Sequence, residues 1–258
     1  MRIRVTPKGG TFRNDLPSAL LNVSSSPSSC PGAPLGQFVT SGNIRATLQS
    51  DARLLVQRVS DGQRLFRSAG PVGWGATTIA GLPFNSATLE LDAPPDPVHG
   101  LGQHHDPTSR KYSLLPTNGE TTVPLMHWPL AGASLLINVP SSGTLETKPS
   151  GVSWQSDACL QLDLWVAVSS GTSPSWPELM RKYVRATGQP ASLPSWATGF
   201  IQSKDRYWSQ EIVENVSASF EQRNLPLSML IIGWQSWGPG PRGDERFGFD
   251  REHPGIPL

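Results

Sequence analysis

The sequence predicts a mainly β chain: a β-sandwich over residues 1 to 170, a connector helix over 171 to 192, and from 193 onward the first strand-helix-strand unit of an α/β barrel. Three observations carry this prediction. Short alternating apolar runs, punctuated by Gly, Pro, Ser and Asp clusters, fill the first two thirds of the chain. The 25 Gly and 25 Pro among 258 residues favour a turn-rich β organisation over a helical bundle. Near residue 171 the periodicity changes, and an apolar run, an amphipathic stretch and a second apolar run follow one another, which is the order of a βαβ unit with a right-handed crossover.

In chain order, Arg2 to Val5, Asn43 to Leu48, and Leu54 to Val59 read as strands, the last closed by an Asp61-Gly62 hairpin turn and followed by Arg64 to Phe66. Thr88 to Leu91 and Ser134 to Val139 follow. In Leu160 to Val168, Leu160, Leu162, Leu164, Val166 and Val168 alternate with Gln161, Asp163, Trp165 and Ala167, which predicts one buried face. The Ser- and Pro-rich stretch from Leu21 to Leu35 reads as a surface loop. Ser175-Trp-Pro-Glu178 has the form of a capping box, with Pro177 in the first turn. Leu179, Tyr183 and Val184 then share a helix face until Thr187-Gly188. Trp196 to Gln202 reads as a strand. Ser209 to Arg223 reads as a helix with Ile212, Val213, Val216 and Phe220 on one side, and Leu227 to Ile232 as a second strand whose unbroken apolar run predicts cover on both faces. Two such strands are an incomplete barrel, since closure takes eight. Gly233 to Leu258 is rich in Gly and Pro and reads as a loop.

A net charge of +1, with 16% charged residues, lacks the basic footprint of a nucleic-acid or anionic-membrane binder, so the expected partner is neutral. Two cysteines, Cys30 and Cys159, supply neither a disulfide framework nor a zinc site, and no cofactor motif is present. The N-terminus lacks the apolar stretch of a signal peptide, and no run spans a membrane, so the default expectation is a cytoplasmic chain. The sequons at Asn22 and Asn215 are then chance.

Seven of the nine Trp lie between Trp154 and Trp237, and Trp234 and Trp237 bracket the end of the second barrel strand. There, at the mouth of a barrel, indole faces can stack on sugar rings; the plainer alternative is that they pack the domain. Asp205 follows the first barrel strand and can face the same mouth. Glycoside chemistry needs two carboxylates there, roughly 5–9 Å apart, and Asp244, Glu245 and Asp250 in the terminal stretch read as solvated charges instead. His104-His105-Asp106 looks like a ligand cluster, but adjacent side chains diverge and no third ligand is suggested. His99-Gly-Leu-Gly-Gln103 reads as a turn whose glycines permit positive φ.

Three segments, His99-Gly-Leu-Gly-Gln103, Pro194-Ser-Trp-Ala-Thr-Gly-Phe-Ile-Gln-Ser-Lys-Asp-Arg-Tyr-Trp-Ser-Gln210 and Asn224-Leu-Pro-Leu-Ser-Met-Leu-Ile-Ile-Gly-Trp-Gln-Ser-Trp237, together resemble glycoside hydrolase family 31 in content, order and interval. The resemblance implies a galactose-mutarotase-like sandwich over 1–170, a linker helix over 171–192 and a truncated start of a (β/α)8 catalytic barrel over 193–258. It further implies a retaining α-glycosidase scaffold of the α-xylosidase or α-glucosidase type, acting on an α-linked oligosaccharide or glycoside. An aspartate nucleophile and an aspartate acid would serve it. In the family the nucleophile lies on barrel strand four and the acid beyond it, so neither maps onto this chain, which is expected to be inactive alone. The family's aspartate at the end of strand two is replaced by Gly233, which offers no acceptor to a sugar hydroxyl. Asp205 falls at the strand-one position lining the same subsite, usually aromatic in glucosidases, and Trp234 at another pocket wall. The alternative is a non-catalytic carbohydrate-binding or interaction module.

Overall fold

A computed structural model of the chain describes residues 1–21, 35–106, 108–115, 120–171, 173–204, 207 and 209–233. Fourteen strands come first: β1 (Arg2–Val5), β2 (Phe38–Ser41), β3 (Ile44–Leu48), β4 (Leu54–Arg58), β5 (Arg64–Ser68), β6 (Gly73–Ile79) and β7 (Leu82–Asp92). They continue with β8 (His99–Gln103), β9 (Lys111–Ser113), β10 (Thr121–Trp128), β11 (Ala133–Ile137), β12 (Gly143–Lys148), β13 (Gly151–Cys159) and β14 (Leu162–Val168). Helix α1 (Trp176–Thr187) follows, then β15 (Ile201–Lys204), α2 (Gln210–Gln222) and β16 (Met229–Ile232). The chain divides into two compact units, Met1–Gln189 and Pro190–Leu258.

The first unit is a sandwich. One sheet runs β1-β14-β11-β10-β8, and the other runs β2-β3-β4-β5-β7-β13-β12-β9, with β6 paired to β7. Leu135, Leu164 and Val166 from the first sheet and Val56, Leu89, Val152 and Trp154 from the second form one buried core, and Phe66 meets Trp128 edge to face at 5.1 Å across it. Alternation along each strand sends these side chains inward and explains why the short runs of the sequence form sheets. Strand β1 joins β14 antiparallel, with Arg2 opposite Trp165 and Val5 opposite Leu162. The Met1 amine donates to the Val166 carbonyl at 2.7 Å.

Five expectations are corrected, the fifth at β16. Strand β14 is buried along its whole length, not on one face. Its outward side chains are covered in turn: Trp165 and Ala167 pack with Leu125, Leu136 and Leu179 under α1, and Asp163 takes two hydrogen bonds from Arg2 and one from Asn138. The capping box does not form. Ser175 is the N-cap but caps through no side-chain hydrogen bond; Glu178 instead accepts from the Ser170 amide and pairs with Lys182 at 2.7 Å. That carboxylate has a stronger local partner than the N-cap amide, a lysine one turn along.

His99-Gly-Leu-Gly-Gln103 is the edge strand β8, paired irregularly with β10, and not a turn. Gly102 has φ +96°, and a Cβ there would lie 2.0 Å from the Thr121 carbonyl oxygen. Glycine is therefore required by both conformation and space. Fourth, Trp196 lies in a short 3-10 turn (Ser195–Thr198), and the strand proper begins at Ile201.

In the second unit, β15 and β16 pair in parallel, Ile201 with Met229 and Lys204 with Ile232, joined through α2. Helix α2 is capped by Ser209, whose Oγ accepts from the Ile212 amide at 3.3 Å. The double-sided cover expected of β16 is not found: Ile231 and Ile232 are about two fifths exposed, and α2 has no fully buried residue.

Candidate functional site

The parallel register of β15 and β16 brings Lys204 and Ile232 side by side at the carboxyl ends of both strands. In open or closed α/β sheets this is the edge where ligands are bound. The opposite, amino-terminal end of the pair is tightly fitted. The Ser228 amide donates to the Phe200 carbonyl at 2.9 Å, and a Cβ added at Gly199 would lie 1.9 Å from Ser228 Oγ and 3.0 Å from Ser228 Cβ. Gly199 therefore lets the segment before β16 close onto the segment before β15. Asp205 follows Lys204 directly in sequence, and Trp234 follows Gly233 after Ile232. Asp205, Trp234 and Trp237 lie outside the described residues, as do Asp244, Glu245 and Asp250.

The sandwich carries two further side-chain groupings. A cavity of about 180 Å³ opens among His104, Asp106, Lys111, Tyr112, Glu120 and Thr122. Several of its polar groups are engaged by neighbouring loop residues: His104 Nε2 is hydrogen-bonded to the Leu101 carbonyl at 2.9 Å, Asp106 accepts from the Thr108 amide and hydroxyl, and Glu120 accepts from the His105 amide. His104, His105 and Asp106 thus turn to three different partners. Sequence reading had no signal for Lys111, Tyr112 and Glu120, which come together only because β9, β10 and the preceding loop are neighbours. Among the described residues no three His, Cys, Asp or Glu groups are placed to share a metal ion.

The second grouping involves His99, His127 and Trp176. His127 and His99 stand directly opposite on β10 and β8. Trp176, the first residue of α1, meets them edge to face at 4.8 and 5.9 Å. His127 is buried and its Nδ1 is hydrogen-bonded to Ser134 Oγ at 2.7 Å. Burial, and after it the neighbouring His99, pushes the His127 imidazole below the usual histidine range. Cys159, by contrast, is a core thiol that burial pushes up to about 12, which removes it as a nucleophile at neutral pH.

Comparison with known proteins agrees with this architecture. A family model described as the glycosyl hydrolases family 31 TIM-barrel domain matches residues 190–254. An uncharacterized family 31 glucosidase from Pseudescherichia vulneris is 30% identical over 144 residues, which is 54% of this chain and 26% of that protein. An alpha-xylosidase of Saccharolobus solfataricus is 28% identical over 153 residues, 55% of this chain and 20% of that protein. The chain thus spans about a quarter or less of the length of these curated relatives. A crystal structure of a GH31 alpha-xylosidase from a soil metagenome, complexed with xylose, shares the fold over 98% of this chain and 39% of its own, with a TM-score of 0.72 and 23% identity.

Proposed function

We infer, from a chain that carries an N-terminal part of a glycoside hydrolase family 31 protein, that it serves the hydrolysis of O-glycosidic bonds in α-xylosides or α-glucosides. In this reading the residues that follow β15 and β16 line the innermost sugar subsite. The observation that carries the reading is the parallel pairing of Lys204 with Ile232, after which the sequence runs on into Asp205 and, past Gly233, Trp234. A carboxylate can accept from sugar hydroxyls, and an indole can stack on the apolar face of a sugar ring.

Retaining hydrolysis needs an aspartate that attacks the anomeric carbon and a second that protonates the leaving oxygen, held roughly 5 Å apart. The resemblance puts neither among these 258 residues, so the purified chain is expected to bind but not to turn over. Binding is weakened by Gly233, because a carboxylate at that position would add a charge-assisted hydrogen bond worth about 1.5–3 kcal/mol.

The test pairs hydrolysis of aryl α-xylosides and α-glucosides with calorimetry on xylose and glucose. No turnover is expected, and sugar binding should have a dissociation constant of about 1 mM or weaker, lost in Trp234→Ala. Turnover abolished by Asp244→Asn or Glu245→Gln would relocate the chemistry. Tight sugar binding indifferent to Trp234→Ala would favour a non-catalytic carbohydrate-binding sandwich instead.

A further inference from the structure

We propose that His127, His99 and Trp176 form an acid-sensitive latch that holds the first turn of α1 against the outer face of the sandwich at neutral pH and releases it on acidification. The geometry is specific to this spot. The two imidazoles are cross-strand partners on β10 and β8, and Trp176 contacts both rings while remaining about two fifths exposed at its outer side. Docked, the indole caps a histidine that is only 3% exposed.

Burial, the facing His99 and the helix dipole all disfavour protonation of His127 in the docked state. On β8 the facing titratable group is His99, a second cation once both are protonated. On β11 the facing group is Ser134, which is neutral. On α1, Trp176 sits at the positive end of the helix macrodipole. The nearest charges of that helix, Glu178 and Lys182, neutralise each other and are tied to Ser170 and to the Val168 carbonyl. The indole could attract a protonated imidazole, but two protonated imidazoles facing each other across the strands repel.

The pH window follows from proton linkage. Undocking the first turn removes the indole cover and moves His127 back toward the ordinary value of about 6.5; docked, it titrates lower. The docked state therefore binds fewer protons, and its advantage is intact above about pH 6.5 and declines as pH falls below that value. At about pH 5, roughly 1.5 units lower, a docked state that still keeps His127 neutral is disfavoured by up to about 30-fold.

Hydrogen exchange on the full chain tests the latch, read as protection of residues 176–187 relative to β11 and β14 between about pH 7.5 and pH 5. In the wild type, α1 should lose protection by about tenfold or more while β11 and β14 keep theirs. His127→Phe retains the ring contact without the titration and should abolish the loss. His99→Gln, at an exposed position, should shrink the loss by removing the repulsion, and it decides the matter if His127→Phe fails to fold by circular dichroism. An unchanged wild-type α1, a loss of equal size in His99→Gln, or simultaneous loss across α1, β11 and β14 would each overturn the proposal.

Discussion

Replacing Gly199 by alanine should open the β15–β16 pair, and the size of the effect can be worked from the contacts. Backbone strain is not the cause, because Gly199 has φ −87° and ψ −172°, extended values that alanine adopts freely. The new Cβ, however, would sit 1.9 Å from Ser228 Oγ and 3.0 Å from Ser228 Cβ. The hydroxyl can rotate away, but the Cβ is fixed by a backbone that donates to Phe200. Overpacking of this kind costs about 1–3 kcal/mol. Alanine also stiffens the unfolded chain, which returns about 0.4–1 kcal/mol. The net destabilisation of the second unit should lie between about 0 and 2.6 kcal/mol. Each 1.4 kcal/mol is a tenfold change in the opening constant of the Ile201–Lys204 and Met229–Ile232 amides, measured by hydrogen exchange. A double-mutant cycle with Ser228→Gly isolates the clash, since the unfolded-state term is the same in both backgrounds. Removing the Ser228 side chain should recover at least about 1 kcal/mol of the cost. If Gly199→Ala is equally costly with Ser228→Gly in place, the close approach is not what seats these two strands.

Two other perturbations probe the sandwich. Gly102→Ala should destabilise it by about 1–3 kcal/mol from the positive φ alone, with an added cost from the Thr121 carbonyl; a lowered urea midpoint with unchanged slope checks this. Hydrogen bonds from Lys182 first and Ser170 second hold the Glu178 carboxyl down at about 2, so its stabilising contribution is complete above about pH 4.5 and is lost as pH falls through about 2. Glu178→Gln should therefore lower the urea midpoint at neutral pH and converge with wild type near pH 2, a window well below that of the histidine pair.

The sandwich was legible because period-two alternation is local: the strands at Arg2, Leu54 and Arg64 begin where the residue pattern puts them. The cover over β14 was not legible, because Asp163 is buried by Arg2 from the other end of the unit, and Trp165 by an α1 that folds back over the strand it follows. The same reason hides the neighbourhood of His127, whose partners lie on β8, β11 and α1. Glycine-rich β8 was misread as a turn, since positive φ is common to turns and to irregular edge strands. For the second unit, the order of strand, helix and strand was readable from periodicity, whereas the 3-10 turn at Trp196 has no apolar period to announce it. The site residues Asp205, Trp234 and Trp237 rest on the family resemblance and on their positions just beyond the paired strand ends.

The pairing of β1 with β14 also governs when this protein can fold. Arg2 finds its partner Trp165 some 163 positions later, and β14 is wedged between β1 and β11. Until residue 168 has left the ribosome, the first sheet lacks the strand that joins its edge to its centre. At about 5–20 residues per second that wait lasts roughly 8–35 s. Closing so long a loop adds little to the equilibrium cost, which grows only logarithmically, but such distant pairings fold slowly. During synthesis, β1 and β11 each present an edge that stays unpaired until β14 arrives between them, and unpaired edges of this kind are prone to mispairing.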